Sequence, residues 1–424
     1  MNQLMQYIDN HRQEAIDLLR EMVSIDSTFI DQGVYGNEGN AQRDLEAKLR
    51  NWGFETKLIE PENELIAGWT DYNPGHHYEG RPNLLAISRG SGGGKSLLFN
   101  GHIDTVPLDD PEKWTYPPLS AEVEDGKVYG RGACDMKAGL AAMIMATRFL
   151  NDLNVPRRGD VLIESVVDEE GGGNGTLDCV ARGIKADAAI VTEPTELKIY
   201  SASRGVFLLK VAVSGCPSHA CFKWNGVNAI EKAWVIARAL SDLERRWLAL
   251  RRHPQLPSPT ITLGEISGGI SAATVPGSCI MKFDIKYLPS ELDSEGRCIP
   301  VNADDIRREV EDCIRTACMG DSWLKEHPPE LDWYLTVMPH EIQPDADILK
   351  VLSKASDAVM GGHMISGLPS GADARHLQNN GGIPTVLFGP GSMKNAHSID
   401  EHVDVEEYMN CIKVLACTIA KWTE

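Results

Sequence analysis

The stretch LLFNGHIDTVP, residues 97–107, reads as a short apolar strand that ends by delivering His102 and Asp104. Three more apolar runs, Leu84–Ile87, Val161–Val167 and Ala188–Val191, lie around it, with the Gly/Ala/Met-rich helix Met136–Leu150 between them. Alternation of strands and helices predicts an α/β fold: a mostly parallel sheet with helices on both faces. The runs also end alike. VLIESVV leads into Asp168-Glu169-Glu170, AAIV into Thr192-Glu193, and TVLF at 385–388 into a Gly-Pro-Gly turn with His397 soon after. In open α/β sheets the crevice beyond the carboxyl ends of the strands holds the ligand. Four strand ends of this kind predict one common site.

After Arg204 the texture changes. Strands at Val206–Val213, Ser278–Tyr287 and Leu331–Val337 alternate with helices Gly226–Leu250 and Ala303–Met319, which predicts an inserted α+β domain over 204–340. Residues 1–203 and 341–424 then form one catalytic, metal-binding domain. Its second part carries helix Ile348–Met360, strand Thr385–Phe388 and helix Val405–Trp422. SRGSGGGKS, at 88–96, lacks the first Walker glycine and precedes a strand, so it is a turn and not a phosphate loop.

The 424 residues include 41 basic and 61 acidic side chains, a net charge of −20. Such a chain repels phosphate backbones, which argues against nucleic acid as a partner. A hydrophobic share of 42% and a charged share of 24% are those of a globular protein, excluding disordered and fibrous folds. None of the ten cysteines has Cys-x-x-Cys spacing, and many sit in apolar stretches. Together with the lack of a signal-like core or a long apolar run, this predicts a soluble, cytoplasmic protein with no membrane partner.

Carboxylates crowded into one site raise each other's pKa unless a cation neutralises them. Imidazoles mixed with carboxylates suit zinc or a neighbouring transition metal. His102 and Asp104, two apart at a strand end, share a face, so Asp104 is placed to accept the free imidazole N–H and orient the ring. Gly130-Arg-Gly-Ala-Cys-Asp135 opens into the apolar helix, placing Asp135 either to cap it or to point both oxygens at cations. Cys134 has no base motif beside it. Glu169 and Glu170 are interchangeable on this reasoning, and His76 and His77 read as loop residues.

GHIDTVP at 101–107, GRGACDMKAG at 130–139, DEEGG at 168–172, TEPT at 192–195, GADAR at 371–375 and NAHSIDEHV at 395–403 span most of the chain. In these motifs and their order the chain resembles the acetylornithine deacetylase and succinyl-diaminopimelate desuccinylase family of co-catalytic zinc hydrolases, relatives of aminoacylases and glutamate carboxypeptidase. The resemblance implies two divalent metal ions per subunit, zinc first, with cobalt or manganese as alternatives. His102 and Glu193 would hold one ion, Glu170 and His397 the other, with Asp135 bridging. Glu169 matches the general base and Asp104 the orienting aspartate. His219, in HACFKWNGVNAI, matches a lid histidine that stabilises the oxyanion, and Arg375 an arginine that grips a substrate carboxylate.

The resemblance also implies a cis peptide between Asp135 and Met136. The inserted domain becomes a lid and dimerisation domain, and the protein a homodimer in which His219 serves the partner's site. Two features depart from the pattern: Ala273 replaces a usual asparagine, and Glu60–Pro82 and Arg251–Pro259 are extra. The implied activity is metal-dependent removal of an acyl group from an N-acyl amino acid or related amine. The alternatives are a carboxypeptidase or dipeptidase of the same family and a catalytically silent metal- or metabolite-binding protein.

Overall fold

Twelve of the 15 residues of helix Ala138–Asp152 are buried, so this segment is apolar on every side. It lies between the main sheet and helix Val405–Trp422, itself mostly buried. Small residues let these layers approach. A Cβ on Gly139 would stand 1.9 Å from the Thr192 carbonyl oxygen, so only glycine lets the helix start meet the strand end that carries Glu193.

The computed structural model describes residues 2–424, which divide into two units. The first comprises residues up to Ser201 with Glu341–Gly367 and Ala372–Glu424. Its sheet runs, edge to edge, through His340–Glu341, Ile199–Ser203, Thr385–Leu387, Ala188–Val191, Leu97–His102, Val161–Val166, Asn83–Ser88 and Glu55–Ile59, with Ile365–Leu368 also paired to Ile199–Ser203. The central strands Thr385–Leu387, Ala188–Val191, Leu97–His102 and Val161–Val166 are mutually parallel. The flanking pairs are antiparallel, so the sheet is mixed around a parallel centre. That centre is where the four chemically loaded strand ends emerge side by side.

The second unit comprises Ala202–His340 with Leu368–Gly371. Strands Thr260–Gly268, Ser278–Tyr287, Gly205–Ser214 and Glu330–Val337 form an antiparallel sheet in that order. Along Gly205–Ser214 every second residue, Phe207, Leu209, Val211 and Val213, is buried in a core shared with helices Ala229–Leu250 and Ala303–Met319. Each helix begins on an asparagine whose side chain accepts backbone N–H groups: Asn228 from Ile230 and Glu231, Asn302 from Asp304. Strand Thr260–Gly268 is absent from the sequence expectation. It is an edge strand, largely exposed beyond Ile261, and so carries no apolar run. Among the described residues, no helix is long and apolar enough to cross a membrane.

Candidate metal and catalytic site

Ala133–Lys137 makes one wide turn before the buried helix, and within it Asp135 takes a non-helical conformation (φ −118°, ψ 98°). The Asp135–Met136 peptide is cis. Asp135 presents one oxygen to each of two imidazoles: Oδ1 lies 3.1 Å from His102 Nε2, and Oδ2 lies 3.5 Å from His397 Nε2. Glu170 Oε1 stands 2.8 Å from the same His397 nitrogen. Donor atoms of His102, Asp135 and Glu170 all lie within 4.8 Å of one another, as do those of His102, Glu169 and Glu193. All five expected ligands and the expected base thus gather at one end of the parallel strands.

This donor set fits divalent metal. A tetrahedral ion with bonds of about 2.0–2.1 Å sets its ligand atoms roughly 3.3 Å apart, close to the 3.1 and 3.5 Å separations around Asp135. The electrostatics point the same way. Burial, then the neighbouring Asp135, pushes the Glu193 carboxyl up to about 8. Burial and then Glu193 raise Glu169 well above the carboxylate range. The hydrogen bonds that His397 donates to Asp135 and Glu170 push it up to about 10. Burial works to lower His102, but Asp135 and the carboxylates of Asp104, Glu193 and Glu169 outweigh it and hold the imidazole well above its usual value. In the metal-free chain, protons therefore do the neutralising that cations would do.

Asp104 does not act as expected. His102 Nδ1 reaches the Asp104 backbone carbonyl at 2.8 Å, while the carboxylate Oδ1 is 3.7 Å away, beyond hydrogen-bond range. The carboxylate instead accepts the backbone N–H of Glu170 at 3.0 Å and of Glu169 at 3.3 Å. The sharp turn after Val166 brings those two amides within its reach, so the Asp104 carboxylate holds the acidic loop while its carbonyl holds the ring. His76 lies in irregular backbone, as expected of a loop residue, but it is only 4% exposed and is bonded to Asp168.

Sequence reasoning missed Glu401. Its Oε1 accepts the N–H groups of Cys134 and Asp135 at 2.9 and 3.0 Å, and its Oε2 takes Arg131 at 2.8 Å. Its only signal is its place within NAHSIDEHV. Burial, then Glu401 and Asp135, keeps the Cys134 thiol well above its usual value, which suits no nucleophile.

Arg375 is buried and donates to the Gly172 carbonyl at 2.8 Å, with Asp373 and Asp71 carboxylates at 3.6 and 3.9 Å. Those two carboxylates are beyond hydrogen-bond range, and among the described residues the Arg375 Nε has no hydrogen-bond partner. His219 belongs to the second unit and is exposed. Its Nδ1 accepts the Cys221 N–H at 3.2 Å, which leaves the proton on Nε2. Thr274, next to Ala273, pairs with it across a short ladder.

The family model for peptidase family M20/M25/M40 matches residues 98–421. An N-formyl-4-amino-5-aminomethyl-2-methylpyrimidine deformylase of Halalkalibacterium halodurans is 32% identical over 81% of this chain and 84% of its own length. An acetylornithine deacetylase of Myxococcus xanthus is 30% identical over 80% of this chain and 83% of its own. In structure, an M20 family metallo-carboxypeptidase of Sulfolobus solfataricus superposes with a TM-score of 0.75 over 97% of this chain and 99% of its own, at 17% identity. That likeness speaks for the fold alone.

Proposed function

This chain belongs to peptidase family M20/M25/M40, and on that premise we propose that it removes a small acyl group, formyl or acetyl, from an amine or amino acid. It is a metal-dependent hydrolase of amide C–N bonds, as the family is. The observation that carries the proposal is Glu169, a half-buried carboxyl in the same cluster as His102 and Glu193. It stands in a chain that spans more than four-fifths of a deformylase and of a deacetylase. Arg375 gives one hydrogen bond, to the Gly172 carbonyl, and its Nε has none among the described residues, so it does not separate a deacylase from a carboxypeptidase. The complete ligand set weighs against a silent binding protein.

His102 and Glu193 would hold one cation and Glu170 and His397 the other, with Asp135 between them; zinc suits this mixed nitrogen and oxygen set. Cations held there would supply Lewis-acid chemistry, making a water more acidic and the scissile carbonyl more electrophilic. Glu169 accepts the proton of the attacking water on a carboxylate oxygen and passes it to the leaving nitrogen, a transfer that contributes about 10²–10⁴-fold. Asp104 keeps Glu169 in place through its backbone. His219, protonated on Nε2, donates to the developing oxyanion.

A homodimer belongs to the same reading. Trp224, Trp234 and Ile270 of the second unit are 77%, 56% and 93% exposed. Strand Thr260–Gly268 leaves one edge of its sheet open, a surface suited to a second copy. The ten free cysteines fit a cytoplasmic setting. The test is a screen of formyl-, acetyl- and succinyl-amines against peptides, with zinc, cobalt or manganese added back. Cleavage of peptides alone would overturn the deacylase reading.

A further inference from the structure

Residues 60–82 precede the part of the chain that the family model matches, which begins at residue 98. They nevertheless reach the acidic loop. His76 and Tyr78 are 4% and 5% exposed, and both end on Asp168, the fully buried residue before Glu169. His76 Nδ1 lies 2.8 Å from Asp168 Oδ1, and the Tyr78 hydroxyl donates to Oδ2 at 2.6 Å. Asn73 Nδ2 donates to the Gly171 carbonyl at 2.6 Å and stands 3.1 Å from His76 Nε2. Because an amide NH₂ only donates, Nε2 must accept, and the His76 proton sits on Nδ1, facing Asp168. Both oxygens of Asp168 and both ring nitrogens of His76 thus have partners.

The loop requires such a hold. Asp168 has φ +69°, a left-handed conformation uncommon for a residue with a Cβ, so its surroundings must maintain it. A Cβ on Gly171 would lie 2.1 Å from Asp168 Oδ1, so glycine is needed where the loop folds back on that carboxylate. On the other side, Asp104 accepts the N–H groups of Glu169 and Glu170. The segment is itself anchored. Arg81 makes a two-pronged pair with Glu38, at 2.8 and 2.7 Å, and donates to the His77 carbonyl at 2.9 Å.

We propose that Asn73, His76 and Tyr78 are positioning residues: through Asp168 and Gly171 they fix the backbone from which Glu169 and Glu170 project. The proposal rests on the reading of Glu169 as the base. It makes the segment before the family core a part of the catalytic machinery rather than surface decoration.

The test compares Tyr78→Phe, His76→Leu and His76→Asn in the full-length, metal-loaded protein. Asparagine places an amide donor where Nδ1 stands, so it is the conservative variant. Amide hydrogen exchange over residues 168–173 should quicken about tenfold or more in Tyr78→Phe and His76→Leu, with other segments unchanged. On an acyl-amine substrate kcat should fall about 10-fold to 10²-fold at unchanged KM and full metal content. His76→Asn should recover most of both losses. Unchanged exchange in the loop, exchange that quickens throughout the chain, or a kcat loss that merely follows metal loss would each overturn the positioning role. The exchange readout needs no substrate. Local loosening in a protein inactive on every acyl-amine would therefore sustain the buttress and sink the deacylase reading instead.

Discussion

Glu401 and Arg131 form an ion pair at 2.8 Å in which each side chain is only 1% exposed. The other Glu401 oxygen accepts the N–H of Asp135. A charge pair removed from water is therefore spent on orienting the carboxylate that lies between both imidazoles. Replacing Glu401 with Ala strands Arg131, though Asp109 remains as a half-exposed partner at 2.8 Å. Loss of one member of a buried pair costs about 3–5 kcal/mol, and the low end is expected here. Metal affinity should fall about 10–100-fold, as for other groups that orient ligands. Denaturant melts of the metal-free chain and a zinc titration measure the two effects separately.

Metal binding should release protons. Glu193 is pushed up to about 8 and His397 to about 10, so below pH 8 a cation displaces a proton from each, and between 8 and 10 chiefly from His397. Apparent affinity should rise with pH across that range. Both folded-state values lie above the ordinary 4.5 and 6.5, so at these two groups the native metal-free chain binds more protons than the unfolded one. Their contribution to stability should fall as pH rises through the same window, while burial of Lys137, which pushes its amine down to about 8, opposes the fall above pH 8. Calorimetry in buffers of different ionisation enthalpy counts the protons, and melts with and without chelator follow the stability. Affinity that does not vary with pH would contradict the proton-filled site.

Glu169→Gln should keep both metals and lower turnover by about 10²-fold or more. Glu170→Ala, which removes the partner of His397 at 2.8 Å, should lose metal first. Metal analysis beside kcat distinguishes the two roles, and the opposite pattern would exchange them.

His219→Ala and Glu169→Gln subunits, each inactive alone, should restore activity when mixed under conditions that exchange subunits. A mixed dimer has one site lacking both groups and one site intact, so recovery approaches half the wild-type rate for that population. Proven exchange without recovery would leave His219 serving its own subunit or none.

Much of this was legible because the chemistry sits at strand ends. Runs such as Ala188–Val191 and Val161–Val166 are wholly or mostly buried, so composition alone marks them, and the residues that follow are forced to one side of the sheet. Thr260–Gly268 and Ile199–Ser203 were not legible. The first is an exposed edge, and the second, IYSAS, buries small polar side chains that look like loop. Glu401, His76 and Tyr78 were hidden for another reason. Their importance lies in what they touch 266, 92 and 90 residues away, and no local pattern encodes a partner at that distance. Asp104 was found, but its task was misread, because spacing of two shows a shared face and not which atom of the residue meets the ring.

Within the first unit, the Ile342 N–H donates to the Ser201 carbonyl at 2.9 Å, joining the strand that leaves at 201 to the one that resumes at 341. The two cut ends of the metal-bearing half are thus already side by side. A tight turn spliced between them would let the intervening stretch be deleted or exchanged wholesale without stretching the frame. Chimeras that trade only this stretch between related hydrolases then become a practical way to graft one enzyme's substrate range onto another's metal centre.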